Sequence, residues 1–295
     1  MTPVLEFTNV SKNFGSKKAL HQLNFRIQKG EFVAFLGPNG AGKSTSISLI
    51  LGQRRPSAGA IQIFDGKPHE ARIKNRIGAT PQDLDFPQNL KCREVAQWVA
   101  AHYPQSRQIQ NRIENLKSKL DLHAFWNRET GGLSGGEKRR LGLLLSLMSN
   151  PDILVLDEPT TGMDVNSRRQ MWNLMREVHG QGKTILLSTH YLDEVEELSD
   201  RVLVIDHGEL LFSGTVEEIK RKVDYKMVDV LLLDENLKSH HDIFNWNFKA
   251  GRAEFLTRNA DGLVKEMVYS NVQFQDLHIR PAKLEDAFMA LRSEK

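Results

Sequence analysis

Cysteine is nearly absent from this sequence: Cys92 is the only one in 295 residues. A single thiol excludes an intramolecular disulfide and suits a reducing compartment, where Cys92 is expected to be a buried structural residue rather than a catalytic one. Long hydrophobic runs are missing too. No stretch of roughly 18 or more apolar residues occurs, so the sequence predicts no membrane-spanning segment, and any membrane role must be peripheral. Met1 to Val10 alternates like a strand and lacks the apolar stretch of a signal peptide, which points to the cytosol. Dominance of one charge sign is also lacking. The 40 basic and 37 acidic residues leave a net charge of +3, too even a balance to argue for nucleic acid. Internal repeats and low-complexity tracts do not occur.

What is present suits an ordinary globular chain, with 40% apolar and 26% charged residues. The length predicts one large domain with a modest appendage. Strand-like alternation covers Val4 to Val10 and Leu20 to Ile27, and Phe32 to Leu36 is a short apolar run of the kind that forms a buried parallel strand. Ser44 to Leu51 carries a helical pattern, and Gly59 to Phe64 reads as a strand. From Asp83 to about Leu122 the pattern is helical, with Trp98, Ile109, Ile113 and Leu116 at helix-like spacing. Helix and strand then alternate: a helix over Gly135–Met148, a strand over Ile153–Leu156, a helix over Ser167–Val178 and a strand over Thr184–Ser188. Val202–Ile205 and Glu209–Phe212 flank a His207-Gly208 turn as a hairpin. Apolar strands alternating with helices predict a parallel α/β core, with the antiparallel strands as extra sheet at its edges. A basic helical segment near Lys220–Lys226 leads into a small α+β unit, with strands at Val228–Leu233, Arg252–Leu256 and Val272–Ile279, and helices at Ala260–Met267 and Ala282–Leu291.

Residues 37–45 read Gly-Pro-Asn-Gly-Ala-Gly-Lys-Ser-Thr, which matches G-x-x-x-x-G-K-[ST] between a strand and a helix. Gly40 and Gly42 let the backbone curl around phosphate oxygens with N–H groups pointing inward. The helix that follows adds its positive end. Lys43 is placed to neutralise β- and γ-phosphates, and the Ser44 hydroxyl to bind Mg²⁺. A second feature is Ile153-Leu154-Val155-Leu156-Asp157-Glu158, a buried strand that delivers two carboxylates to the edge of the sheet where ligands bind. Asp157 is the expected Mg²⁺ residue, directly or through water, and Glu158 the group that orients and deprotonates an attacking water.

Leu133-Ser134-Gly135-Gly136-Glu137 supplies a capping box, Ser134 with Glu137, and a helix start suited to an anion. In their order along the chain, the phosphate loop, this LSGGE run, the LVLDE strand end and Ser188-Thr189-His190 resemble the ABC ATPases over about residues 1–220. The resemblance implies a P-loop NTPase fold of the ABC type, α/β, with an antiparallel β subdomain, a helical subdomain at about 83–150 and a small C-terminal α+β domain. The domains it implies are 1–221 and 222–295. It implies ATP and Mg²⁺ as ligands, hydrolysis of ATP to ADP and phosphate, and two domains paired head to tail around two nucleotides. In that pairing Ser134, Gly135 and Gly136 of one chain complete the phosphate site of the other. Gly37, Pro38, Asn39, Gly40, Ala41, Gly42, Lys43, Ser44 and Thr45 form the loop around phosphate. Phe14 sits where the family stacks an aromatic on adenine, with a core role as the alternative. Gln82 is similar to the family's glutamine that reaches Mg²⁺ and water, and His190 to the histidine that holds γ-phosphate and Glu158. Thr161 to Asp164 matches the loop that crosses the pair, with Met163 where leucine is usual. Lys91-Cys92-Arg93-Glu94 departs from the family's Thr-Val-x-Glu pattern.

The partners implied are separate membrane-spanning transporter subunits and a second nucleotide-binding domain, identical or pseudo-twofold, with no nucleic acid. The place implied is the cytoplasmic face of the cell membrane. Pro281 to Phe288, Pro-Ala-Lys-Leu-Glu-Asp-Ala-Phe, resembles a phrase of the drug, polysaccharide and lipid exporter group. An amphipathic terminal helix with Leu284, Phe288 and Leu291 inward is an equally good account of the same residues. Two other functions stay open on sequence alone: a non-transport ABC ATPase and a regulatory ATP-binding module. His240-His241 lacks nearby ligands and reads as solvated surface rather than a metal site.

Overall fold

The structure, a computed structural model, describes residues 3–103, 106–223, 225–232, 243–281 and 283–293. The opening alternation produces a long hairpin, β1 (Pro3–Phe14) and β2 (Lys17–Gln28), with Phe14 opposite Lys17 at its tip. β3 (Phe32–Leu36) is buried along its whole length and runs into the phosphate loop and α1 (Lys43–Ile50). β4 (Ala58–Ile63) pairs antiparallel with β1, so the first strands form their own three-stranded sheet, β2-β1-β4. The expectation that the opening strands extend the edge of the parallel sheet is corrected here, while the strands near 205 do lie at that edge. The partner of β1 on its second side is β4, which satisfies its backbone groups away from the main sheet. α2 (Ala71–Lys74) and β5 (Ile77–Thr80) follow. Helices then fill the chain up to residue 147: α3 (Cys92–Ala100), α4 (Ser106–Lys119) and α5 (Gly135–Leu147).

β6 (Ile153–Asp157), α6 (Val165–Gly180), β7 (Thr184–Thr189), α7 (Leu192–Leu198), β8 (Arg201–Asp206) and β9 (Glu209–Gly214) complete a six-stranded sheet of order β5-β6-β7-β3-β8-β9. β5, β6, β7, β3 and β8 run parallel. Period-two alternation sorts the side chains of β6 between two cores. Leu154 and Leu156 join a cluster with α3 to α6, while Ile153 and Val155 join one with α1 and the antiparallel sheet. Rings tie the two sheets together: Phe7 stacks on Phe25 at 4.3 Å, and Phe25 meets Phe35 of β3 edge-on at 5.5 Å. Because five strands are parallel, the residues that follow β3, β5, β6, β7 and β8 gather at one edge of the sheet, which is where a ligand binds in such folds.

The chain divides into two units, Met1–Ser213 and Gly214–Lys295. The second holds α8 (Val216–Val223), β10 (Lys226–Leu232), β11 (Ile243–Lys249), β12 (Arg252–Thr257), α9 (Ala260–Tyr269), β13 (Phe274–Pro281) and α10 (Leu284–Ser293). Its four strands are ordered β11-β12-β10-β13 over a core of Val228, Val230, Phe255, Leu263 and Met267. The sequence placed the boundary after 221. α8 packs with α10 instead, which moves the division to the start of that helix. Leu284 and Ala287 are buried. The side chain of Leu291 and the pair His240-His241 lie outside the described residues.

Candidate active site

The loop after β3 is shaped by glycines that admit no substitute. Gly42, at φ +113°, would set a Cβ 2.6 Å from a Leu20 methyl carbon, and a Cβ on Gly37 would lie 2.2 Å from the Ile205 carbonyl oxygen. Gly40 also has a positive φ of +81°. The Lys43 side chain curls back beneath the loop and donates to the carbonyls of Gly37 at 2.6 Å and Pro38 at 3.1 Å. Burial pushes the Lys43 ammonium down from its ordinary range, while the Glu158 and Asp157 carboxylates pull it up. A buried cation satisfied only by carbonyls, and open to a cavity, is prepared for an anionic ligand.

That cavity holds about 1130 Å³. Its walls include Phe14, Asn39, Gly40, Gly42, Lys43, Ser44, Thr45, Gln82, Glu158 and His190, ten of the residues expected from sequence. Glu158 is 8% exposed and sits at φ +50°, an unusual conformation that lifts its carboxylate off the end of β6. Around that carboxylate stand His190 Nδ1 at 3.5 Å, Gln82 Nε2 at 3.5 Å and the Thr161 hydroxyl at 3.3 Å. Gln82 follows β5 and His190 follows β7, so neighbouring strands aim these groups at one point. Phe14 stands at the rim, 38% exposed, with the Arg54 guanidinium 4.9 Å and the Lys12 ammonium 5.2 Å from its ring centre.

Gly37, Pro38 and Ala41 do not line the cavity. They form the underside of the loop, where Lys43 is anchored. Asp157 is also set behind the wall, 5% exposed, and burial pushes its carboxyl above the usual range. Its Oδ1 is buried without a hydrogen-bond partner. Ser134 to Gly136 are not brought to the cavity at all. They open α5, where Ser134 Oγ accepts from the Glu137 N–H at 3.3 Å and Glu137 accepts from the Ser134 N–H at 2.7 Å. Arg128 holds Glu137 at 2.7 Å, and Ser134 and Gly135 remain exposed.

Sequence reasoning passed over Lys17, Lys18 and His21, which also line the cavity. The signal was available in part: two lysines follow the Gly15 turn of the first hairpin, beside the aromatic already singled out. Arg139 was missed as well. Its guanidinium donates to the carbonyls of Glu158 and Thr161, at 2.7 and 2.8 Å.

The phosphate loop at the edge of a parallel sheet, the Asp-Glu strand end beside it and the separate Ser-Gly-Gly helix start define a P-loop ATPase with the parts of an ABC cassette. Known proteins agree. A family model described as ABC transporter matches residues 20–161. A Nod factor export ATP-binding protein I of Burkholderia lata is 34% identical over 97% of this chain and 96% of its own. A daunorubicin resistance ATP-binding protein of Streptomyces coeruleorubidus is 36% identical over 75% of this chain and 71% of its own. An ATP-binding cassette solved as a dimer in a post-hydrolysis state with ADP and phosphate superposes with a TM-score of 0.65 at 25% identity, covering 72% of this chain and 98% of that one. The chain belongs to the ABC transporter family, as an ATP-binding subunit of the exporter type. No helix among the described residues is long and apolar enough to cross a membrane.

Proposed function

We propose that this chain is the motor of an export system, hydrolysing ATP in a site completed by a second nucleotide-binding chain and passing the resulting motion to separate membrane-spanning subunits at the cytoplasmic face of the membrane. The observation that carries this reading is the division of the site. Lys43, Glu158, Gln82 and His190 surround one cavity, whereas Ser134 to Gly136, an exposed helix start made for an anion, face elsewhere in the same chain. A head-to-tail pair brings the helix start of each chain to the cavity of the other.

In such a site the loop N–H groups and Lys43 hold the β- and γ-phosphates, and Phe14 stacks on the base. Glu158 takes a proton from water while His190 keeps its carboxylate aimed at the γ-phosphate. The residues fit a divalent cation, because a buried carboxylate oxygen without a partner is what a hard cation needs. Asp157 and the Ser44 hydroxyl would hold Mg²⁺, with Gln82 reaching toward it. When bound, the ion offsets phosphate charge. The helical stretch at about 83–150 is the surface offered to the membrane subunit, and those subunits choose the cargo. The second unit, proposed as an accessory domain, carries no part of this chemistry.

Steady-state hydrolysis by the purified chain tests the reading. Wild type should release phosphate, Lys43→Ala should neither bind nor turn over ATP, and Glu158→Gln should bind ATP normally while turnover falls by about 100-fold or more. Normal turnover in Glu158→Gln would remove the base, and ATP binding by Lys43→Ala would remove the phosphate loop.

A further inference from the structure

We propose that Arg139 is a positioning residue that fixes the catalytic turn at Glu158 from the helix whose N-terminal start serves the partner's nucleotide, so that each site senses the other. The inference rests on the paired-site reading above. Arg139 lies in the second turn of α5, just beyond the exposed Ser134 to Gly136 start. Its side chain crosses to the loop after β6 and grips two carbonyls of one turn, Glu158 through Nη1 and Thr161 through Nε. The planar guanidinium holds these two donors, on different nitrogens, in one fixed fork, a geometry that the single-nitrogen ammonium of lysine does not reproduce.

The turn it grips is the strained one. Glu158 adopts φ +50°, a left-handed conformation that a long side chain seldom takes unless its surroundings impose it. The bond that would close the turn from within, Thr161 N–H to the Glu158 carbonyl, is stretched to 3.4 Å. The two bonds from Arg139 are far shorter, at 2.7 and 2.8 Å. On the other side, the Glu158 N–H donates to the Ser188 carbonyl of β7 at 2.9 Å. Held at its amide by β7 and at its carbonyl by α5, the Glu158 backbone has no freedom left. Its carboxylate is thereby kept among His190, Gln82 and Thr161.

Packing alone does not require this cation. Among the described residues no carboxylate lies within ion-pair distance of Arg139; burial pushes its guanidinium down, while the more distant carboxylates of Glu158, Asp83 and Asp157 favour its charge. The position gives it a second property. α5 is a rigid rod of 13 residues, and a shift of its start against the partner's γ-phosphate carries Arg139 with it. The Glu158 turn moves in turn, so hydrolysis in one cavity depends on nucleotide in the other.

ATP titrations of the full-length chain test this, using Arg139→Lys, Arg139→Gln and Arg139→Ala. Wild type should hydrolyse ATP cooperatively. In all three variants kcat should fall roughly 10- to 100-fold, as expected when a catalytic group is displaced by a fraction of an ångström to one ångström, while KM stays within about threefold. The Hill coefficient should fall to one. Arg139→Lys keeps charge and most of the volume, so its melting temperature should stay near wild type and it remains readable if Arg139→Ala fails to fold. A cooperative wild type whose variants keep both kcat and cooperativity overturns the arginine's role and leaves the paired site standing. Loss of activity that follows loss of melting temperature, with KM rising in step, overturns it as well, by showing a merely structural residue. A wild type that hydrolyses ATP without cooperativity removes sensing between sites, whereas a wild type with no hydrolysis at all removes the function proposed above.

Discussion

Asp157 ends β6 and Lys43 opens α1 beyond β3, two strands separated by β7 in the sheet, and each is buried at the expense of stability. Burial raises the Asp157 carboxyl above its ordinary value and lowers the Lys43 ammonium below its own, which means that burial disfavours both charges. The sign for stability follows. A carboxyl whose folded pKa is raised above its unfolded value opposes folding increasingly as pH climbs from the unfolded value through the folded one. Asp157→Asn keeps the shape and removes that opposition. The variant without nucleotide should therefore melt at or above wild type at pH 8, and its advantage should shrink as pH falls toward 4, while hydrolysis is lost. Thermal unfolding across that range checks it. A variant that melts well below wild type at pH 8 would show that Asp157 is a structural anchor and not a strained functional group.

Among the elements, those defined by local chemistry were legible. β3 and β6 are unbroken apolar runs, and the Ser134 to Glu137 box marks the start of α5. What local pattern does not encode was not. β5 is four residues, Ile-Gly-Ala-Thr, too short and too small-sided to announce a strand, and it exists because β6 offers it a ladder. α7 is a single short helix of seven residues directly after His190, without a strong apolar period. Trp98 was read at helix-like spacing with Ile109, Ile113 and Leu116, yet it is 60% exposed while the other three are buried. The break between α3 and α4 resets the helical phase, which a single periodic reading across 83–122 overlooks. β11 carries Phe244, Trp246 and Phe248 alternating with asparagines, a strand signal that was present and passed over. Arg139 was beyond reach, since it binds backbone carbonyls 19 and 22 residues away and no side-chain type marks the partner. At this scale α5 also offers a test. Ser134→Ala removes the side-chain half of the capping box and should cost about 1 kcal/mol of stability, a shift of roughly 2–4 °C in melting temperature. Hydrolysis should fall far more than so small a loss of folding explains if, as proposed, the same hydroxyl completes the partner's site. Turnover that tracks the lost stability alone would reduce Ser134 to a cap.

For the whole molecule, a chain with an exposed helix start and a separate cavity is, as proposed, one half of a paired machine. Its family resemblance was readable from the order of four motifs because each needs particular residue types for phosphate, water or helix-end chemistry. The pairing itself leaves no mark in one chain's contacts, and a surface kept polar and open looks the same whether it awaits a partner or solvent. Pairing is therefore the claim to measure. Light scattering of the Glu158→Gln variant, which should hold ATP unhydrolysed, gives its mass directly. With MgATP the account predicts twice the 33.6 kDa of a single chain, falling back to one chain when Ser134→Arg is added; an ATP-loaded variant that stays at 33.6 kDa at every concentration tried would contradict it.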